Sequence, residues 1–305
     1  MTPATPIELP DLGSLYRRAA LEAARSKLSA NGTLKALPKA PVVAAHPGIT
    51  EDQAEQYRTL FAGEAFDGVY RSSLPSTLIH IAGFPVQMAL MSQDDFPLPL
   101  LGMVHLSNEV HHHKPIAVGT PLQMLARAQN LAPHRRGTQT ELVIEVYPGD
   151  AAVDTAGADQ LLYSSISTYL GMGTYLFSED EAASPQREEF VPPQKTGLWT
   201  LGADAGRQYA AVSGDYNPIH LTGLTAKLLG QKQAIVHGMY SAARMLEGRE
   251  PETAGHRWSI TFEAPIALPG KVAFAAEHID EKTQRFVGWN PRKRRRHFTG
   301  ELVLP

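Results

Sequence analysis

Two side chains that can transfer protons and one amide lie close together in the C-terminal half of the chain. Asp215, Asn217 and His220 fall within six residues, and Gly214 and Pro218 interrupt any regular helix there, so the stretch is expected to form a turn. A carboxylate and an imidazole held near each other can take a proton from water and deliver a proton to carbon, as addition of water to a double bond requires. These residue types are also common in turns, so spacing alone leaves a purely structural role for Asp215 open.

Addition of water next to a carbonyl group also needs donors for the negative charge that develops on the carbonyl oxygen. The segment MYSAARMLE repeats apolar residues at helical spacing, which predicts a helix that begins near Gly238. The first N–H groups of a helix have no partner within the helix and favour an anion. Gly238 would let a ligand approach that backbone closely because it has no side chain.

The elements around these residues follow the same order in two halves of the chain. In the first half, STLIHIAGFPVQMALMS precedes alternating segments such as TQTELVIEVY and LLYSSISTYL. Proline is tolerated in a first helical turn but not in a helix interior, so Pro85 predicts that this helix begins near Phe84. In the second half, MYSAARMLE precedes WSITFEA, KVAFAAEH and GELVL. Two successive units of a helix followed by antiparallel strands predict a duplicated α+β domain.

Two segments fall outside these halves. Near the N-terminus, apolar residues recur at the spacing of a helix: Leu12, Leu15, Tyr16, Ala19, Ala20 and Ala23. The proline-broken connector ALPKAPVVAAHPG follows them. The acidic, proline-containing segment SEDEAASPQREEFVPPQ predicts a linker. We therefore expect an N-terminal helical extension over 1–49, a first domain over 50–178, a linker over 179–195 and a second domain over 196–305.

The composition excludes several classes of protein. The 305 residues carry a formal net charge of −3, so no overall positive field would draw nucleic acid or an anionic membrane. Without cysteine the chain has no disulfides, thiolate metal sites or cysteine nucleophile. It also lacks the apolar run of roughly 18 residues that a membrane helix needs, and the start typical of a secretory signal. We expect a soluble, cytoplasmic protein.

Consecutive histidines at 111–113 are further candidates for metal ligands. On a strand only His111 and His113 would share a face, and Glu109 is the only carboxylate beside them, so we expect no metal site there. His80 lies between two isoleucines and is expected to be a core histidine.

The string SGDYNPIH, followed by AKLLG and IVHGM, resembles the signature of the R-specific enoyl-CoA hydratases, also called hydratase 2 or MaoC-like dehydratases. The two-domain bacterial 3-hydroxyacyl-thioester dehydratases are the most similar branch. The resemblance is specific over roughly residues 205–270, which include TFEAPIALPG. It is weaker over 50–178, where SNEVHHHKPIAVGTPL looks like the family's non-catalytic first domain, and residues 1–45 carry none of it.

This resemblance implies a double hot-dog fold, in which an antiparallel sheet wraps a long helix in each domain, with catalysis in the second domain. It implies syn hydration of a trans-2-enoyl thioester to the (3R)-3-hydroxyacyl thioester in fatty-acyl metabolism. The family's aspartate and histidine, which activate one water, fall on Asp215 and His220. Its supporting asparagine falls on Asn217, and the glycine that contributes an oxyanion donor falls on Gly238. Many members have an acidic residue and a proline soon after the histidine, and the departure to Leu-Thr-Gly here puts substrate preference in question.

Two other functions compete with this one: a catalytically silent subunit that binds acyl thioesters, and a hot-dog thioesterase. The intact pair of Asp215 and His220 favours the hydratase over the silent subunit. We expect no cofactor and no metal. The sequence leaves open whether coenzyme A or acyl carrier protein bears the acyl group, and whether the protein forms a homodimer.

Two further groups of residues are candidates for substrate binding. The basic run, residues 292–296, is either a solvated hairpin tip or a docking site for the phosphates of coenzyme A or the acidic surface of acyl carrier protein. Arg294 and Arg295 are its candidates for contact with the carrier. In the first domain, the helix residues Phe84, Val86 and Met88 are expected to shape the acyl-chain pocket.

Overall fold

The computed structural model describes residues 3–18, 35–61, 73–178, 189–228, 230, 232–253 and 255–305. The chain forms two compact units. The first contains Met1–Gly48, His80–Asn108 and Gly119–Arg187, and the second contains Ile49–Ile79, Glu109–Val118 and Glu188–Pro305. Each unit is therefore discontinuous in sequence, and the second unit includes two segments from the first half of the chain. The contiguous domain boundaries stay a prediction, and residues 179–188 of the expected linker lie outside the described residues.

The strands of the first unit follow the spatial order β1–β2–β4–β5–β6–β3. β1 pairs parallel with β2, whereas β2, β4, β5 and β6 pair antiparallel in that order. The strands are β1 (Thr5–Pro6), β2 (Val42–His46), β3 (Met103–His112), β4 (Leu122–His134), β5 (Gly137–Pro148) and β6 (Tyr163–Met172), with a 3₁₀ turn at Ala158–Gln160. The last residues of β3, from Glu109, belong to the second unit. On β5, Leu142, Ile144 and Val146 are buried on one face, as their alternation predicts.

Helix α2 (Ser76–Met91) begins a full two turns earlier than the sequence analysis predicted. The expected start near Phe84 was wrong, because Pro85 lies inside the helix. An interior proline costs roughly 3 kcal/mol. Burial of Leu78, Ile79 and Leu90, each at most 3% exposed, contributes about 1.5–3 kcal/mol per side chain and outweighs that cost.

The N-terminal region is partly helical and partly a strand. Residues 12–18 are helical, as predicted, and residues 19–34 lie outside the described part of the chain. The expected connector is wrong for residues 42–46. They form β2, which pairs antiparallel with β4, and Val42 and Ala44 are each 1% exposed. Pairing of the backbone with β4 and burial of one face explain why this short apolar segment is a strand.

The second unit contains the antiparallel strand order β8–β11–β10–β9–β7 and most of the helices. The strands are β7 (Gly197–Leu201), β8 (His256–Phe262), β9 (Gly270–His278), β10 (Thr283–Trp289) and β11 (Arg296–Val303). The helices are α1 (Glu51–Phe61), α3 (Ala205–Ser213), α4 (Pro218–Leu221), α5 (Gly223–Leu228) and α6 (Gly238–Leu246).

Helix α6 is the buried helix of this unit, and its predicted apolar stripe is confirmed. The stripe residues are all at most 7% exposed: Met239, Ala242, Ala243 and Leu246. Gly300 on β11 leaves room for the Met245 side chain, so the helix lies directly against the sheet. Aromatic contacts of Phe61 with Tyr209 and Tyr240 join α1 to α3 and α6. None of the helices in the described part of the chain has the length and apolarity that crossing a membrane requires.

Candidate active site

Asp215 lies in a turn that its neighbours hold rigidly. Helix α3 ends at Ser213, and Gly214 caps it with a φ of 71°, in the left-handed region that glycine favours. Gly214 N donates to Ala210 O at 2.9 Å. Asp215 Oδ1 then accepts from Asn217 N at 3.2 Å, and Asp215 N donates to Ser213 Oγ at 3.2 Å. The Asp215 side chain is 18% exposed. The backbone therefore fixes this carboxylate while leaving it accessible to a small molecule.

His220 lies on the short helix α4, and its proton is placed by the fold. Asn217 caps α4 by accepting from Ile219 N at 3.3 Å, and Pro218 occupies the first turn, where no N–H is needed. His220 Nδ1 is 2.8 Å from Ile235 O. Because a carbonyl oxygen can only accept, Nδ1 carries the proton and the neutral ring has an unprotonated Nε2. His220 is thus in the tautomer that can act as a base at Nε2.

His237 joins the two predicted catalytic residues, although the sequence analysis gave it no role. Its Nε2 is 3.0 Å from Asp215 O and 3.7 Å from Asp215 Oδ2. Its ring stacks on His220 with centroids 3.7 Å apart, and its side chain is 3% exposed. The signal in the sequence was its position directly before Gly238, at the predicted start of a helix.

Burial keeps both imidazoles of this site neutral. The pKa of His220 is lowered to about 3, first by burial and then by His237, against the opposing effects of Asp215 and the bond to Ile235. The pKa of His237 is also lowered by burial, with Asp215 again acting in the opposite direction. A buried ring loses the water that would solvate its charged form. Near neutral pH both imidazole rings of this site are therefore uncharged.

Gly238 is the first residue of α6, as the sequence predicted. A Cβ at this position would lie 3.0 to 3.2 Å from three carbons of the Phe262 ring, so close packing against β8 accounts for the glycine. The first N–H groups of α6 follow His237 directly and have no acceptor within the helix. The role of Gly238 in binding an oxyanion stays a prediction.

A basic cleft of about 480 Å³ reaches the backbone that holds His220. Its wall includes Ile235, whose carbonyl accepts the hydrogen bond from His220. No acidic residue is among the described residues that line the cleft. Four cationic side chains line it: Lys232, Lys271, Lys293 and Arg295. Such a cleft favours anions, and phosphate above all, because several cations converge on one concave surface.

Members of the basic run differ in their surroundings. Arg295 and Lys293 line the basic cleft, whereas Arg294 is not among the lining residues. Arg294 instead has a φ of 50° in the turn between β10 and β11. Arg296 forms a charged hydrogen bond with Glu263. Contact of Arg294 and Arg295 with a carrier stays a prediction, and only Arg295 of the two lines the cleft.

Phe84, the predicted pocket residue, lies half-buried on α2 in the first unit. It stacks on His80 with centroids 6.5 Å apart. His80 is 4% exposed, as expected for a core histidine, and burial lowers its pKa to about 4. Val86 and Met88 are buried on the same helix. Contact of these residues with an acyl chain stays a prediction.

Two groups of described side chains have a composition that could bind a metal ion. One is Asp215 with His220 and His237, and the other is His112 with Glu250 and His256. Within each group the potential ligand atoms all lie within 4.8 Å of one another. Hydrogen bonds to main-chain carbonyl groups already account for the ring orientations in the first group. That this catalytic group works without metal stays a prediction.

Residues 186–293 match the protein family described as MaoC like domain. The chain is 34% identical over 203 residues to 3-hydroxyacyl-thioester dehydratase X of Mycobacterium tuberculosis, an alignment that covers 66% of this chain and 68% of that protein.

Solved structures show the same similarity. The crystal structure of HtdX from Mycobacterium tuberculosis superposes with a TM-score of 0.69 and 27% identity, covering 86% of this chain and 98% of HtdX. A MaoC-like dehydratase from Phytophthora capsici superposes with a TM-score of 0.63 over 90% of this chain and 97% of its own. At 16% identity, the second similarity concerns the fold alone. Together with the two helix-and-sheet units, these neighbours confirm the α+β, double hot-dog prediction.

Proposed function

This chain belongs to the MaoC-like dehydratase family, and from that membership we propose that it catalyses reversible hydration of a trans-2-enoyl thioester to the (3R)-3-hydroxyacyl thioester. The proposal rests on one observation above the others: Ile235 O fixes the tautomer of His220 with Nε2 unprotonated, and a ring nitrogen of His220 lies within 4.8 Å of an Asp215 carboxylate oxygen. This pair can hold one water between two acceptors. A silent binding subunit gives no reason for such an arrangement.

In the proposed reaction, His220 Nε2 takes a proton from a water that Asp215 helps to hold. The water oxygen forms a bond to C3, and the electron pair of the double bond moves onto the thioester carbonyl. The N–H groups at the start of α6, including that of Gly238, stabilise the resulting negative charge. The proton taken from water is then returned to C2, so one water is consumed and the pair regains its starting protonation state. Asn217 supports this site indirectly, because it caps the helix that carries His220.

The acid–base pair is tested by Asp215→Asn and His220→Gln. Each should lower turnover about 100- to 10,000-fold, the usual contribution of a positioned proton-transfer group. The double variant should be little worse than either single variant, because the two residues act on one water. The assay follows loss of enoyl absorbance over trans-2-enoyl thioesters of rising chain length, with thiol release measured in parallel.

Matched controls are Asp150→Asn and His278→Gln, which change exposed side chains of the same types. Both should keep the turnover of the unmodified enzyme. A folded Asp215→Asn or His220→Gln enzyme with normal hydration would remove the pair from the mechanism. Thiol release without loss of the double bond would instead identify a thioesterase.

We propose further that the basic cleft binds the phosphates of the carrier, as coenzyme A or the phosphopantetheine of acyl carrier protein. Of the two predicted arginines, Arg295 lines the cleft, and Arg294 adds positive charge beside it in the same turn. Lys271 and Lys293 complete a set of cations that suits phosphate oxygens. Phe84 is proposed as part of the wall of the acyl-chain pocket.

The double variant Lys271→Gln with Arg295→Gln should raise KM for an enoyl-CoA thioester and weaken the dependence of KM on salt, with little change in kcat. An enoyl-pantetheine thioester lacks the phosphates, so its KM should not respond to the double variant. Arg292→Gln, an exposed member of the basic run that does not line the cleft, is the control. Equal KM values for the double variant and the unmodified enzyme at low salt would contradict the phosphate site.

A further inference from the structure

A second cluster of proton-binding side chains lies buried in the second unit, away from the acid–base pair in sequence. His112 and His256 are each 2% exposed and Glu250 is 6% exposed. His256 Nε2 is 3.1 Å from Glu250 Oε1, and the two imidazole rings have centroids 5.0 Å apart. One potential ligand atom from each of the three lies within 4.8 Å of the other two. The proposed hydration uses none of them.

The backbone brings these residues together from three separate segments. His112 is the last residue of β3, Glu250 follows α6, and His256 is the first residue of β8. A hydrogen bond of 2.8 Å from Gly255 N to His112 O holds the residue before His256 against the backbone of His112. His111 and His113 stack on each other with centroids 3.6 Å apart and are only partly buried. Strand alternation thus sends only the central histidine of the run into the cluster.

Outer hydrogen bonds hold the cluster in place. Ser76 at the start of α2 donates from its N–H to Glu250 Oε1 at 3.1 Å, and its hydroxyl also binds that oxygen. Trp258 Nε1 in turn donates to Ser76 Oγ at 2.7 Å. His112 forms a hydrogen bond with the backbone of Lys114. Ligating carboxylates and imidazoles in metal sites are supported by outer partners of these kinds.

We propose that His112, Glu250 and His256 bind one divalent transition-metal ion, with Zn²⁺ as its first candidate, in a structural site distinct from the acid–base pair. Two imidazoles and one carboxylate are a donor set that Zn²⁺ favours. Bonds of about 2.0–2.2 Å in tetrahedral geometry place ligand atoms about 3.3 Å apart. The distance of 3.1 Å between His256 and Glu250 is already close to this value.

Binding requires the His256 ring to change its tautomer. The hydrogen on Nε2 that is directed at Glu250 moves to Nδ1 by exchange with solvent, so the ring stays neutral and the lone pair of Nε2 binds the ion. The ion then takes the place of this hydrogen bond and compensates the charge of the buried Glu250 carboxylate. A buried carboxylate without such a partner would be costly. The ion would tie the end of β3 to the start of β8 and to the residues after α6.

The test uses the full chain, stripped with a chelator, dialysed and titrated with Zn²⁺ alone. Calorimetry and elemental analysis should give one ion per chain, and Zn²⁺ should raise the thermal midpoint. His112→Gln, Glu250→Gln and His256→Gln should each weaken Zn²⁺ affinity at least 100-fold and abolish the rise in midpoint. His111→Gln and His113→Gln change the adjacent, outward histidines and should bind Zn²⁺ as the unmodified protein does.

Anomalous diffraction at the zinc edge keeps the proposal testable if the variants do not fold, since it uses the unmodified protein. It should place the ion between His112, Glu250 and His256. Absence of saturable Zn²⁺ binding by the stripped protein would overturn the site. So would binding that survives His112→Gln but is lost in Asp215→Asn, because the ion would then belong to the group of Asp215, His220 and His237.

Discussion

Acidification should destabilise this protein through its buried neutral histidines, and the size of the effect can be worked out. His220 has its usual pKa of 6.5 when the chain is unfolded, and a pKa of about 3 when burial excludes water from the ring. The unfolded state therefore binds more protons than the folded state between these two values. Stability from this residue is fully present above pH 6.5 and is lost as the pH falls toward 3.

At pH 5 the loss from His220 is about 2 kcal/mol relative to pH 8. His80, whose pKa is lowered to about 4 by burial, gives nearly the same value, because pH 5 is still above both folded pKa values. Together the two residues cost about 4 kcal/mol at pH 5, a large part of the roughly 5–15 kcal/mol that stabilises a folded domain. A low concentration of urea that leaves the protein folded at pH 8 should therefore unfold much of it at pH 5.

The assay is urea unfolding at pH 8 and pH 5, followed by tryptophan fluorescence. His220→Gln should reduce the fall in unfolding free energy between the two pH values by about 2 kcal/mol, since glutamine has no proton to bind. His278→Gln, which changes an exposed histidine on β9, should keep the fall seen in the unmodified protein. In parallel, kcat/KM of the folded enzyme should show no acid limb from His220 near pH 6.5. The same pH dependence of unfolding in His220→Gln and the unmodified protein would refute the reasoning.

Two substitutions test the helix start and the proposed pocket. Gly238→Ala places a methyl group 3.0–3.2 Å from the Phe262 ring. It should lower the free energy of unfolding in urea by about 1–3 kcal/mol and lower the hydration rate at least tenfold. Gly223→Ala is its control, because a Cβ at that helix start meets nothing within 4 Å, and equal effects of the two would remove the steric argument. Phe84→Trp should lower kcat/KM for long acyl chains more than for short ones, by about fourfold for each methylene that loses burial at 0.8 kcal/mol. A chain-length profile identical to that of the unmodified enzyme would take Phe84 out of the pocket.

Local sequence patterns predicted most of the secondary structure but failed where burial outweighed propensity. The apolar residues that alternate on β5 and those of the stripe on α6 are buried as predicted, although Val143 on the opposite face of β5 is buried too. The start of α2 was misplaced because the rule against an interior proline was applied to Pro85. That rule ignores the buried apolar residues on either side of the proline. β2 was missed for a related reason: five residues between prolines look like a connector until β4 supplies their hydrogen-bond partners.

The site shows the same limit at the level of single side chains. The spacing of Asp215 and His220 indicated only that the two lie close together, in one turn and one short helix, and the family resemblance supplied their expected roles. His237 is 17 residues beyond His220, and only the bond between Ile235 and His220, together with ring stacking, reveals that the two histidines meet. Similarly, the run of histidines at 111–113 was judged by its outer members, whereas the strand buries the middle one beside partners more than 130 residues away.

Burial of the two stacked histidines has opposite consequences for stability and for chemistry. Excluding water from His220 makes protonation unfavourable, which sensitises the fold to acid, and the same exclusion keeps Nε2 unprotonated over the whole physiological range. A ring with so low a pKa in the resting site is a weak base, so proton transfer needs a compensating charge when substrate and water are present. Asp215 is positioned to supply it: its carboxylate raises the pKa of both rings, and its main-chain oxygen holds His237 against His220. Under the proposed mechanism, an imidazolium formed during turnover would be stabilised by Asp215 as it forms.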